Sequence, residues 1–199
     1  MDRETALSGP IHSKGFLILS AFLREHYGHE RPLALRASLV VEQSYEEIEG
    51  DSASLAELCA LLSSLGDTAV RQGVAVTGAV DQHGAVEPIG GVNEKIEGFF
   101  RLCQARGLTG DQGVIVPSAN ARHLMLDHEV VEAVREGRFS IWAVGDVDQA
   151  TELLTGLPGG ERGPDGSYPE GTLHRRVDDR LTQLAELARH LWPEPEPLL

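Results

Sequence analysis

Three short, almost wholly apolar runs, at residues 73–80, 113–117 and 139–144, constrain this chain more than any other feature. Each is too short for a buried helix, and glycine, proline or charge punctuates its ends, so each reads as a buried strand. Strands buried on both faces need helices to cover them, and helical spacing fills the intervals. Apolar residues recur at three and four over 14–27 (Phe16, Leu19, Phe22, Leu23), 52–65 (Leu55, Leu58, Leu62, Leu65) and 92–106 (Ile96, Phe99, Phe100, Cys103), with Gly28, Gly66 and Gly107 as stops. Residues 119–136 are mostly helical in pattern and 147–154 wholly so. Strands alternating with helices predict an α/β (α+β) domain, a mixed sheet flanked by helices.

Two weaker signals add to the sheet. Leu33, Leu35, Ala37, Leu39 and Val41 fall on every second position and predict a strand over 33–41 with one buried face. Asp81-Gln82-His83-Gly84 is a turn, which predicts that 85–89 returns beside 73–80 as a hairpin. The segment 42–50 reads as a loop, since Glu42, Glu46, Glu47 and Glu49 cannot be buried together without partners.

Composition changes at Leu157. Residues 158–172 form a linker rich in proline and glycine, and Leu173, Val177, Leu181, Leu184, Leu187 and Leu191 then define an amphipathic tail helix over 173–192. Such a face must be covered, by its own domain in the first instance and by another subunit in the second. Residues 1–10 read as a leader or remnant outside the domain, and 193–199 as a frayed end.

Charge narrows the partners. With 17 Lys+Arg against 31 Asp+Glu, the formal net charge of -14 argues against nucleic acid or an anionic membrane as the main partner. No apolar run approaches the roughly 20 residues that span a bilayer, and Met1-Asp2-Arg3-Glu4 does not begin a secretory signal, so a cytoplasmic location is expected. Cys59 and Cys103 lie in predicted helices and read as reduced packing residues. The pairs His26/His29 and His123/His128 lack a third ligand, so no metal is expected.

The candidate chemistry centres on Ser52. It follows Gly50-Asp51 and precedes an apolar helical run, so it is expected at a helix N-terminus, where backbone N–H groups favour developing negative charge. The plainer reading of such a serine is a helix cap. As a nucleophile it needs a base, and a lysine serves only when neutral. Lys95 is one of two lysines in the chain, with Lys14, and it sits in the first turn of the helix that follows Gly90-Gly91. Burial among Val92, Ile96 and Ile89, together with the helix N-terminus, is expected to depress its pKa. The plainer reading is a snorkelling lysine paired with Glu94. A Ser-His-Asp triad has His83 as its best candidate, but no motif fixes any of the eight histidines to Ser52.

Ser52 and Lys95 stand 43 positions apart, with Val74-Ala75-Val76-Thr77-Gly78 between them, and Lys95 ends the segment Val86-Glu87-Pro88-Ile89-Gly90-Gly91-Val92-Asn93-Glu94-Lys95. In these motifs, their order and their spacing, the chain from about residue 11 to 157 resembles the proteolytic domain of the Lon proteases. The nucleophile's surroundings, Glu49-Gly50-Asp51-Ser52-Ala53-Ser54, are closest to the Lon-like B-type and C-type branches, where the A type has Asp-Gly-Pro-Ser-Ala-Gly. Ile11-His12-Ser13-Lys14-Gly15 and Glu42-Gln43-Ser44-Tyr45 point the same way.

The resemblance implies the Lon proteolytic-domain fold and a serine endopeptidase that cuts unfolded or damaged proteins through an acyl-enzyme. It implies Ser52 as nucleophile, Lys95 as general base, Thr77 as the hydroxyl that places the lysine, and backbone N–H groups around Gly50 and Asp51 as the oxyanion site. From the residues alone, Thr77 is a strand threonine that satisfies its own hydroxyl. Asp51 departs from the A type, and a carboxylate there could hold Lys95 protonated and silence the site, leaving a binding or assembly module. Family members form six-fold rings below an ATP-driven unfolding domain. No G-x-x-x-x-G-K-[ST] occurs here, so no cofactor is expected in this chain, and ATP with Mg would belong to an upstream domain of a longer protein.

Overall fold

The computed structural model of the chain describes residues 10–29, 31–40 and 50–191, with side chains from residue 14 onward. Its centre is the run that is apolar throughout. Gly113–Pro117 (β4) is buried at every position and lies between Val74–Val76 (β1) and Ser140–Val144 (β5), all three strands parallel. Because side chains alternate across a strand, Ile115 faces one apolar cluster while Val114 and Val116 face the other. The first cluster is closed by α1 (Pro10–Tyr27), α2 (Ser54–Leu65), α5 (Val147–Thr155) and α6 (Leu173–Leu191). The second is closed by α3 (Val92–Arg106) and α4 (His128–Arg135). The fold class is therefore α/β, a parallel sheet flanked by helices, with the antiparallel component in a separate pair of strands.

That pair corrects the expected single strand over 73–80. The chain leaves the sheet at Thr77-Gly78 and forms Ala79–Val80 (β2), which pairs antiparallel with Val86–Glu87 (β3). The break has a cause in backbone hydrogen bonding. Thr77 N–H still donates to Ile115 O, but Gly78 N–H donates to Ser52 O at 2.9 Å, and Gly78 O accepts from Leu55 N–H at 3.1 Å. A side chain at position 78 would place its Cβ 2.9 Å from Leu55 Cδ2, so this approach needs glycine.

The expected strand over 33–41 is also corrected across its described part. Residues 33–40 pair with no strand among the described residues. The alternation instead marks a contact face, since Leu35, Ala37 and Leu39 line a small cleft against Leu19 and Leu23 of α1 and Leu61 of α2, while Val40 is 76% exposed. An apolar face can be covered by helices as well as by a sheet, and periodicity does not distinguish the two. Residue 41 and the 42–49 part of the expected loop lie outside the described residues, as do 1–9 and 192–199. The helical region 119–136 divides into a 3-10 turn, Ser118–His123, and α4.

The tail helix packs against α2. Leu173, Val177, Leu181 and Ala185 are buried there, whereas Leu187 and Leu191 at the far end of the same stripe are exposed. Two polar contacts of one side chain help fix its start: His174, almost fully buried, donates from Nε2 to Asp148 Oδ1 at 2.8 Å and pairs through Nδ1 with the Tyr27 hydroxyl. The segment before it is folded onto the domain as well, with Tyr168 buried and its hydroxyl donating to His26 O at 2.9 Å. No helix among the described residues is long and apolar enough to cross a membrane.

Candidate active site

Ser52 does not lie in the helix. It stands in the turn formed by Asp51, Ser52 and Ala53, one residue before the cap of α2. The turn is held from several sides. Ser54 N–H donates to Asp51 O at 3.0 Å, Ser54 Oγ accepts from Val80 N–H at 3.1 Å, and Ser52 O accepts from Gly78 N–H. Gly50 enters the turn with φ of 100°, a left-handed conformation that a side chain would strain. The cap reading of Ser52 is replaced by another: its Oγ is the partner of Lys95.

Lys95 comes from the opposite face of the sheet. Gly91 at the start of α3 has φ of 67°, which turns the chain sharply out of the preceding loop, and Lys95 N–H then donates to Gly91 O in the first helical turn. The side chain reaches across so that Nζ lies 2.8 Å from Ser52 Oγ and 3.5 Å from Thr77 Oγ1. Thr77 closes the triangle by donating to Ser52 O at 3.4 Å. Three hydroxyl and amine groups from α2's leading turn, the end of β1 and the start of α3 thus converge at the point where the chain peels off the sheet.

Two expectations about Lys95 change. The residue is exposed rather than buried, since its neighbours Val92 and Ile96, not Lys95, turn into the second cluster. The amine's hydrogen-bond partners among the described residues are the hydroxyls of Ser52 and Thr77, so the reading of a lysine paired with Glu94 is superseded. Its pKa is nonetheless lowered below the ordinary lysine value, principally by desolvation, and the charge of Asp51 works against that lowering. A lysine in this setting loses its proton more readily than a free one, and Asp51 opposes that loss.

Two of the histidines have partners away from Ser52. His83 Nδ1 lies 2.8 Å from Glu25 Oε1 in the exposed hairpin turn, and His174 is locked between Tyr27 and Asp148. No group of three or more metal-ligating side chains occurs among the described residues. The supporting parts of the site, Ser54 and Gly78, carry no signal of their own in the sequence, since a buried serine in the first helical turn and a glycine in an apolar run each have many ordinary uses.

Comparison with known proteins gives the family. The family model of the Lon protease (S16) C-terminal proteolytic domain matches residues 45–155. A Lon protease homolog of Escherichia coli (strain K12) is 50% identical over 196 residues, covering 98% of this chain and 32% of the relative. Its counterpart in Haemophilus influenzae is 45% identical over 189 residues, 95% of this chain and 31% of the relative. The archaeal Lon protease of Thermococcus kodakarensis is 32% identical over 151 residues, 75% of this chain and 21% of the relative. The chain thus spans about a third or less of the length of these relatives.

Proposed function

The chain belongs to the Lon protease family, and on that premise we propose that it is a serine endopeptidase working through a Ser52-Lys95 dyad. The observation that carries the reading is the 2.8 Å approach of Lys95 Nζ to Ser52 Oγ. In the neutral state the amine lone pair takes the Ser52 proton as Oγ adds to the scissile carbonyl carbon. Backbone N–H groups of the turn around Gly50, Asp51 and Ser52 hold the oxyanion that forms. The lysine, now an ammonium, returns the proton to the leaving amine as the C–N bond breaks, and the acyl group stays on Ser52. Water then attacks the ester with Lys95 again as base, releasing the acid and restoring the serine. Thr77 keeps the amine aimed at Oγ throughout.

The substrates in this reading are unfolded or damaged proteins in the cytoplasm, and the working unit is a six-fold ring whose chamber the acidic surface lines. An ATP-driven unfolding domain in the longer protein would feed that chamber, and the greater length of the relatives is compatible with one. The test is degradation of an unfolded casein by the parent chain beside Ser52→Ala. Degradation by the parent and none by the variant is expected. Equal, slow loss of casein with both would overturn the protease reading and leave an assembly or binding role.

The rate should rise with pH, because only the deprotonated Lys95 can accept the serine proton. The midpoint of that rise lies below the ordinary lysine range, following the downward shift caused by desolvation. Asp51 pulls the other way by favouring the ammonium. Asp51→Asn should therefore move the midpoint to lower pH and speed the reaction at neutral pH, as measured by a pH series of peptide hydrolysis. An unchanged midpoint would show that Asp51 does not govern the lysine, and the silencing role would fall with it.

A further inference from the structure

Lys95 is an exposed side chain carried on a helix that follows two glycines, so its aim at Ser52 has to be set by something other than its own packing. The loop before α3 offers little. Gly90 and Gly91 have no side chains to anchor it, and Gly91 sits in the left-handed region. The chain is gripped one residue earlier, at Ile89, by a single buried amide. Asn120 Nδ2 donates to Ile89 O at 2.9 Å, and Ile89 N–H donates to Asn120 Oδ1 at 3.0 Å. This is the two-point pairing that one strand makes with another, supplied here by a side chain.

Asn120 is well placed to act as a reference. It lies in the 3-10 turn directly after β4, the strand at the middle of the sheet, and is 7% exposed. The same strand positions the other side of the site, since Ile115 O accepts the N–H of Thr77. A second tie runs in parallel, with Asn93 Oδ1 in the first turn of α3 accepting from Met125 N–H at 2.9 Å. Both ties lead from the segment after β4 to the turn that carries Lys95.

We infer that Asn120 is a positioning residue for the base: by clamping both backbone groups of Ile89 it fixes the first turn of α3 and so the approach of the Lys95 amine to Ser52. The inference rests on the Ser52-Lys95 reading. Releasing the clamp lets the Gly90-Gly91 loop rotate and swings the amine away from Oγ into water, and a misplacement of about 1 Å can cost up to about 10²-fold in rate. An amine that leaves its partly desolvated seat also titrates closer to an ordinary lysine, with Asp51 the charged group that still acts on it.

The test is the rate at which Ser52 in the full chain is acylated by a serine-directed fluorophosphonate, followed by mass spectrometry across a pH series. Asn120→Ala and Asn120→Asp are compared with the parent. Asp keeps the size and one acceptor but presents an oxygen to the Ile89 carbonyl, so it remains informative if the alanine variant fails to fold. Labelling is expected to fall by about 10- to 100-fold in both, with the midpoint of the pH profile moved upward. A folding defect alone would lower the labelled fraction without moving the midpoint. Folded variants that label at the parental rate with the parental midpoint, or that lose rate with no change in midpoint, would overturn the role assigned to Asn120. No labelling of Ser52 in the parent itself would instead overturn the dyad.

Discussion

Lys95→Met should slow acylation of Ser52 by about 10³-fold, within the range that a positioned general base contributes. Methionine keeps a long apolar stem in place of the lysine stem and removes only the proton acceptor. Little stability should be lost, because Lys95 is an exposed residue and its amine contacts are the two hydroxyls of Ser52 and Thr77. Thr77 cannot substitute, since a hydroxyl at 3.5 Å from the amine has no basicity to offer at neutral pH. Lys95→Arg separates the remaining explanations. A guanidinium preserves the charge but does not deprotonate, so the arginine variant should be as slow as the methionine one. Should arginine retain the parental rate, Lys95 would act through its charge, and the base would have to be sought elsewhere.

Val177→Asp should unfold the domain or bring it close to unfolding. Val177 is fully buried on the inner face of α6, in the cluster that contains Leu58, Leu62 and Leu65 of α2. A carboxylate at this position has no partner among those side chains, and burying an unpaired charge belongs to the short list of changes that cost on the order of 4 kcal/mol or more. Against a total stability of about 5–15 kcal/mol, that is a large share. Leu187→Asp, on the same stripe but 56% exposed, should shift stability by less than about 0.5 kcal/mol. Urea denaturation followed by circular dichroism measures both. If Val177→Asp proves as stable as the parent, α6 is an appendage that lifts off, and the core closes without it.

The contrast between these two positions also shows where reading the sequence stops. The spacing of Leu173, Val177, Leu181, Leu184, Leu187 and Leu191 marks one apolar face, but nothing in that spacing says that cover ends after Ala185. The length of the partner helix and the angle at which α6 crosses it decide that, and both are tertiary quantities. The same limit explains 33–40, whose alternation records a buried side without recording whether a strand or a helix buries it. The break at Thr77-Gly78 is hidden for a related reason. Eight apolar or small residues in a row look like one strand, and the backbone bonds that end it come from Ser52 and Leu55, more than 20 positions away.

Within the site the division is similar. Ser52 and Lys95 are legible as residue types with a candidate chemistry, Thr77 joins them only through the family resemblance, and the glycines at 50, 90 and 91 announce tight backbone beside them. The 2.8 Å contact, the exposure of Lys95 and the clamp of Asn120 on Ile89 are legible only in three dimensions. Composition and periodicity act through local forces, and from these the sequence by itself determined the α/β class, most of the helices and the central apolar strand, while motif order and spacing, through the family resemblance, singled out Ser52 and Lys95 as candidates. Tertiary structure decided where the strand over 73–80 had to break, which face each helix covered and how far, and what aims the lysine, because each of these depends on contacts between segments far apart in the chain.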